Sequence, residues 1–375
     1  MKQKVKIGFV GDVSITGVFK NNIKNNVDIF DEKIKKRLTS FDFVVANLEG
    51  PVTNNKQFIR NNGIVNSPFG SLDYLSNANI KIFNLANNHL FDNGLLGFTD
   101  TKKRLDKNNC NYFGGGKDIN EASKILYIKK KNITFALLGL CHNEGMIADQ
   151  NKPGVFCLDF HVNVLKEKII QARKKADWII LNYHGGEEFT TIPMPSRRRL
   201  LHKLSKLDVD LIIAHHSHVV QGFENINGKY IFYSLGNFIF DIKKHFNKNL
   251  VNNGVILSIE FTKDNFNFKF IPTILDKNLG LVTEGEKEFI DIIKKVYSNF
   301  TNYRYDWIKD AHRAFLNSEK NIKSVKNINI GKRHKNFYQL LFEKNTFLKF
   351  YNLLKKPNMR PLFIGAILYK INKKK

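Results

Sequence analysis

The chain has 375 residues, enough for one large domain with an appendage or for two domains. Hydrophobic residues at 42% and aromatics at 12% argue against a disordered chain. A formal net charge of +26 favours polyanionic partners (nucleic acid, anionic lipid or an acidic polymer), and it equally fits a Lys- and Asn-rich solvated surface.

Cys110, Cys141 and Cys157 are odd in number and include no C-x-x-C pair, which argues against a disulfide framework or a cysteine zinc site. The N-terminal KVKIGFV segment has no long apolar region followed by small residues, so no signal peptide is expected. No stretch approaches the roughly 20 apolar residues that span a bilayer. A cytoplasmic protein, with scope for peripheral contact with a membrane, is expected.

In chain order, short apolar runs fall at Lys4–Val10, Phe41–Asn47, Ile80–Ala86, Ile133–Leu140, Trp178–Tyr183, Val209–Ala214 and Tyr230–Leu235. They are rich in β-branched and aromatic residues and nearly continuous, the pattern of strands covered on both faces. Helical periodicity lies between them at Phe98–Asn108, Val162–Ala176 and Arg197–Leu207, the last just after Pro195. Alternation of this kind predicts an α/β fold. Two further strands, VILSIEF and FNFKFIP, are expected around Gly254–Ile274. Gly114–Gly116 marks a loop, but no G-x-G-x-x-G or P-loop follows a strand, so those nucleotide cradles are not supported.

The texture changes after residue 280. The Thr283–Glu286 segment reads as a capping box opening a helix through Phe300, and a second helix is expected over Asp306–Glu319. From Asn321 to Lys375 there are 14 Lys or Arg against one Glu, half of the whole chain's net charge. The apolar run Leu362–Tyr369 is too short to cross a membrane but long enough to lie in its interface. A solvated basic extension is the plainer reading of such a charge run. The chain thus divides into two units: residues 1–280, and a mostly helical basic extension over 281–375.

The chemistry lies at the ends of the apolar runs. They close in Gly11-Asp12, Asn47-Leu48-Glu49, Asn87-Asn88-His89, the His184–Glu188 segment, the His215–His218 segment and Gly236-Asn237. In open α/β sheets, groups at the carboxyl ends of strands converge on one crevice. Asp, Glu, Asn and His are oxygen and imidazole donors suited to Mn, Fe, Zn or Mg. The His216-x-His218 spacing would place two imidazoles on one side of an extended segment. A carboxylate such as Glu49 could bridge two ions in a two-metal site for phosphoryl displacement. Taken singly, Asp12 could cap a helix, Asn88 or Glu49 could punctuate a turn, and His184 could be a hydrogen-bonded core residue. Jointly, the converging donors point to a divalent metal site.

These motifs resemble the CapA-type poly-γ-glutamate capsule biosynthesis family, a branch of the calcineurin-like metallophosphoesterases. They are GDV at Gly11–Val13, ANLEGPVT at Ala46–Thr53, LANNHLFDNG at Leu85–Gly94, NYHGGEEF at Asn182–Phe189, AHHSHVVQG at Ala214–Gly222 and YSLGNFIFD at Tyr233–Asp241. They span about residues 5–275. The resemblance implies a four-layer αββα sandwich with a site for one or two divalent ions. By position, Asp12 would ligate the first ion, Glu49 would bridge, Asn88, His184 and His216 would complete the second ion, and His218 would return to the first. His89 would be the acid that protonates the leaving oxygen, oriented by Asp92. Glu188 falls at the acidic position of the family's His-containing segment.

There are departures. Ser14 stands where the broader superfamily has a histidine, which removes one ligand of the first ion. Ala214 and Ser217 replace a Gly and a Pro, and Gly185 and Phe189 replace a Trp and a Tyr near His184. The resemblance implies capsule or other envelope-polymer biosynthesis, with metal-dependent hydrolysis of a phosphoester or related bond in an acidic polymer. The alternative is a non-catalytic component of capsule assembly that binds polymer or anionic membrane through its basic surface. A nuclease ranks behind both.

Overall fold

The computed structural model describes residues 3–59, 65–142, 145–242, 250–291 and 303–316, with isolated positions near the C-terminus. Its strands are β1 (Val5–Val13), β2 (Phe43–Leu48), β3 (Ile80–Asn84), β4 (Asn111–Phe113), β5 (Gly115–Gly116), β6 (Leu126–Lys130), β7 (Ile133–Cys141) and β8 (Gly154–Val155). They continue with β9 (Trp178–His184), β10 (Leu211–His215), β11 (Val220–Ile226), β12 (Lys229–Leu235), β13 (Asn237–Ile239), β14 (Asn253–Phe261), β15 (Phe266–Asp276) and β16 (Leu281–Glu284). The helices are α1 (Gly17–Lys24), α2 (Glu32–Thr39), α3 (Ser71–Asn77), α4 (Gly94–Lys107), α5 (Ile119–Ala122), α6 (Leu158–Arg173), α7 (Pro195–Ser205) and α8 (Tyr303–Leu316).

Two large sheets organise this mixed α/β fold. One runs β16-β15-β14-β1-β2-β3-β4, with β13 also paired to β1; the other runs β11-β12-β10-β9-β7-β6. The centre of each is parallel: β1 to β4 in the first, and β7, β9, β10 and β12 in the second. Parallel centres put the strand ends that precede functional loops on one edge of each sheet.

Each central strand is apolar on both sides because each side meets a different core. Val5, Ile7 and Phe9 of β1 face Phe135 and Leu137 of β7 and Ile180 of β9 in a core between the sheets. The alternate residues Val10 and Val13 join Ile34 and Leu38 of α2 and Leu72 and Leu75 of α3. On the second sheet Ala136, Leu138, Ile179 and Leu181 pack against Leu165 and Ile169 of α6 and Leu201 of α7. Each fully buried Val, Leu, Ile or Phe among them contributes roughly 1.5–3 kcal/mol. Phe135 makes edge contacts with Phe43 (centroids 5.9 Å apart) and Phe261 (5.1 Å) across the inner core.

All seven apolar runs form strands; five of them run one to three residues further toward the site, β12 ends at Leu235 as expected, and β3 stops at Asn84, two residues early. The expected helices appear as α4, α6 and α7, with Pro195 opening α7. α8 begins three residues before the expected Asp306. The capping box at Thr283 is not one: Thr283 pairs with Ile274 in β16, the edge strand that carries the first sheet to Glu284. Antiparallel pairing to a nearby strand overrides the local helix signal there. The expected helix opens later, with residues 288–291 helical; positions 292–300 and nearly all of Asn321–Lys375 lie outside the described residues. No helix among the described residues is long and apolar enough to cross a membrane.

Candidate metal centre

Asp12 enters the site on a kink. The pairing of β1 with β2 shifts register between Phe9 and Asp12, and its pairing with β13 shifts between Asp12 and Val13. Bulges of this kind re-aim a side chain. Gly11 permits the close approach that makes the bulge: a Cβ there would lie 1.9 Å from the Gly236 carbonyl oxygen, which accepts from Asp12 N at 3.0 Å. Glu49 follows β2 directly, and its amide donates to Val13 O at 2.9 Å. Asn88 and His89 sit in the turn after β3, where Asn87 Oδ1 accepts from His89 N at 3.1 Å. From the second sheet, His184 is the last residue of β9 and sits opposite Cys141 and His215.

His216 and His218 converge for a reason other than strand alternation. β10 stops at His215, and both histidines take left-handed backbone, with φ of 93° and 57°. A tight left-handed turn, not an extended segment, puts their ring centroids 6.0 Å apart. Bulky residues held there carry backbone strain of a kind that clusters at functional sites.

Six of the expected donors come together. His184 Nε2 lies 2.9 Å from Asn88 Oδ1 and 3.1 Å from His216 Nδ1. Glu49 Oε1 lies 3.9 Å from His184 Nε2 and 3.9 Å from His218 Nε2. His218 Nδ1 lies 3.4 Å from Asp12 Oδ2 and 3.0 Å from Asn237 Oδ1. Two groups of ligand atoms result, Glu49–His184–His216 and Asp12–Glu49–His218, each within 4.8 Å and each fully buried. Glu49 is common to both.

The electrostatics suit cation binding. Burial pushes His216 down to about 3 and His215 to about 4. His184 falls well below the ordinary imidazole value through burial and then the charges of His216, His215, His218 and His89. All three rings are therefore neutral near pH 7, with lone pairs available. Burial alone would raise the Asp12 carboxyl, but the hydrogen bond from His218, the charges of His218 and His215 and donation from Asn47 outweigh it and hold it below the usual value. Neutral imidazoles and carboxyl oxygens converging in a buried space are a donor set compatible with divalent metal ions.

His89 is placed differently. Its Nδ1 lies 2.7 Å from Asp92 Oδ2, and its Nε2 is 3.8 Å from Glu49 Oε1. Its side chain is 15% exposed, at the mouth of the cluster rather than inside it. Asp92 is fixed in turn by Val65 N, which donates to Oδ2 at 2.9 Å. Ser14 is buried, with its hydroxyl 3.4 Å from that of Ser67.

Several contributors were not among the expected site residues. Asn47 Nδ2 donates to Asp12 Oδ1 at 2.8 Å and lies 3.1 Å from His184 Nδ1, so one amide ties the two sheets together. His215 Nδ1 stands 3.6 Å from Asp12 Oδ1, and Asn237 steadies His218. All three lie in the strand-end motifs; their support role depends on cross-sheet register, which no local pattern encodes. Glu188 is buried beside the site on the loop after β9.

The family model for the bacterial capsule synthesis protein PGA_cap matches residues 6–242. The chain is 33% identical over 239 residues to the PGA biosynthesis protein CapA of Bacillus subtilis, covering 62% of each protein. It is 31% identical over 250 residues to the capsule biosynthesis protein CapA of Bacillus anthracis, covering 64% of this chain and 60% of that one. The matches thus span about three fifths of these relatives. A hypothetical protein from Thermus thermophilus superposes at a TM-score of 0.45 with 12% identity, over 75% of this chain and all of that one. With all six strand-end motifs inside the matched span, the chain belongs to the bacterial capsule synthesis protein PGA_cap family.

Proposed function

We propose that this protein is a metal-dependent hydrolase of a phosphoester, or of a related bond in an acidic envelope polymer, acting in capsule or poly-γ-glutamate biosynthesis. The observation that carries the reading is the pair of buried ligand groups sharing Glu49, with a carboxylate-oriented histidine at their mouth. Asp12 and His218 would hold a first ion, Asn88, His184 and His216 a second, and Glu49 both. Mn, Fe, Zn or Mg suit this mixture of oxygen and nitrogen donors. Divalent ions there supply charge neutralisation at phosphoryl oxygens and acidity to water.

The chain's own groups do the rest. Asp92 holds His89 through Nδ1, which leaves Nε2 facing the cluster to give a proton to the leaving oxygen. Partial exposure lets that ring meet substrate while the ligands stay dry. In the same reading the two sheets with their helix-covered outer faces form a four-layer αββα sandwich over about residues 1–280. The basic C-terminal segment, which carries half of the chain's net charge between Asn321 and Lys375, would be available to acidic polymer or anionic membrane on the cytoplasmic side.

One observation favours a second reading. Ser14 turns its hydroxyl to Ser67 where the superfamily has a ligand, so the first group is a donor short. A single-ion or non-catalytic assembly component that binds anionic polymer would tolerate that loss. Elemental analysis after equilibration with Mn²⁺, with His216→Ala as control and a phosphoester substrate screen alongside, separates the two. Near two ions per chain with turnover is the result expected; one ion without turnover supports the second reading. No ion in either protein would overturn both metal-based versions.

A further inference from the structure

The loop between β9 and α7, residues 185–194, carries Glu188 and Phe189 over the candidate site yet has no regular structure of its own. Backbone donors outside regular structure need partners elsewhere. Two of them find one carboxylate far along the chain: Asp310 Oδ2 on α8 accepts from Thr191 N at 2.6 Å and Ile192 N at 3.2 Å. Thr191 Oγ1 adds a third donor at 3.2 Å. Asp310 is 7% exposed, and its other oxygen is paired with Arg313 of the same helix. Tyr303, at the start of α8, donates its hydroxyl to Pro193 O. Charge-assisted bonds to a buried carboxylate are about twice as strong as neutral ones, so this is a firm anchor.

The anchor leads to a ligand. Trp307, Ile308 and Ala311 of α8 share one apolar cluster with Phe189 and Val219. Phe189 sits at φ 65°, strained for an aromatic residue, and its amide donates to Ser217 O at 2.8 Å. Its ring stacks on His218, centroids 6.0 Å apart and planes 28° from parallel. A strained residue keeps its conformation only while its surroundings over-determine it, and α8 supplies much of those surroundings.

We infer that α8, which lies beyond the matched span 6–242, is a positioning element of the metal centre, with Asp310 fixing the 185–194 loop so that Phe189 holds His218 against the Asp12–Glu49 group. Asp310 touches neither ion nor substrate; it acts through the loop. The inference rests on the metal-site reading above for its consequence, but the clamp itself does not.

The test compares full-length wild type, Asp310→Ala and Asp310→Asn, with Leu38→Ala as a control destabilised in the outer core under α2, away from the loop. Amide exchange at residues 188–192 and Mn²⁺ dissociation constants are measured on each. In Asp310→Ala, exchange across 188–192 should rise and Mn²⁺ affinity should fall by about 10- to 100-fold, the usual cost of losing outer support of a ligand. Asp310→Asn keeps one acceptor oxygen for Thr191 N and should recover most of both; Leu38→Ala should change neither. Unchanged exchange in Asp310→Ala overturns the clamp. Raised exchange with wild-type Mn²⁺ affinity, or an equal affinity loss in Leu38→Ala, overturns its link to the metal. Wild type that takes up no Mn²⁺ overturns the site reading and that link together, while the exchange data still judge the clamp.

Discussion

Glu49→Gln is the sharpest perturbation of the proposed centre. The amide keeps the shape of the side chain, so packing in this buried position is preserved. What changes is charge, in the one residue shared by both ligand groups. In chelator-treated protein the substitution should be neutral or mildly stabilising, because a carboxyl buried among imidazoles is replaced by an uncharged group. With Mn²⁺ the sign reverses. An ion at a hundred times its dissociation constant stabilises the folded state by about 2.7 kcal/mol. Unfolding entropy of about 2.1 cal/mol/K per residue over roughly 300 folded residues converts that to a melting shift of about 4 °C, and two ions to about 8 °C. Thermal melts of wild type and Glu49→Gln, each with chelator and with saturating Mn²⁺, read this directly. The wild type should gain about 4 or 8 °C according to ion number, and the variant should gain close to nothing. A variant that keeps the full wild-type shift would refute Glu49 as a shared ligand, and with it the two-group geometry.

Two further outcomes rest on particular contacts. His89→Ala should lower turnover about 10²- to 10⁴-fold while leaving Mn²⁺ content unchanged, since His89 faces the cluster without belonging to either ligand group; parallel loss of metal would assign it a ligand role instead. Away from the site, Glu224 meets Arg198 Nε at 2.9 Å and His202 Nε2 at 2.7 Å, and takes the Tyr233 hydroxyl. Burial would raise its carboxyl, but those partners outweigh burial and hold it below the ordinary 4.5. As pH falls the unfolded chain therefore takes up this proton first, so the stability Glu224 provides is complete above about pH 4.5 and is lost as pH drops through its folded value. Glu224→Gln should lower the melting temperature near neutral pH and flatten its decline between about pH 5 and 3; an unchanged slope would show that the ion-pair cluster does not govern acid sensitivity there.

The strands were legible because successive residues, such as Phe135 and Ala136 or Ile180 and Leu181, alternate between two apolar cores, leaving no polar face to confuse the pattern. The polar groups that end them stood out for the same reason. Helices α1 to α3 were not legible: each spans eight residues or fewer, and half of α2 is Lys or Arg, with only Ile34 and Leu38 buried. In hindsight Asp31 signals its start, accepting from Ile34 N at 2.7 Å. The Thr283 error has the opposite cause, since a good local helix signal lost to a partner strand that only the folded sheet brings alongside. The histidine pair was legible for the wrong reason. His216 and His218 converge through left-handed turns, which their residue types gave no cause to expect.

That distribution of donors explains why the site tolerates so much strain. Asp12, Glu49 and Asn88 hang from the first sheet, while His184, His216 and His218 hang from the second. Neither sheet alone can complete a ligand group, so the donors meet only because the packed core holds the two sheets together, and loops such as 185–194 set their finer placement. A core packed at crystal-like density resists sliding, and that rigidity lets Asn47 bridge Asp12 and His184. Residues at unfavourable φ survive in such surroundings because relaxing one of them would displace a ring held from several sides: His218 is flanked by Phe189 and Phe240 and steadied by Asn237. The stability given up at His216 and His218 is thus supplied by the apolar layers, and this separation lets polar side chains gather in a buried cluster compatible with metal binding.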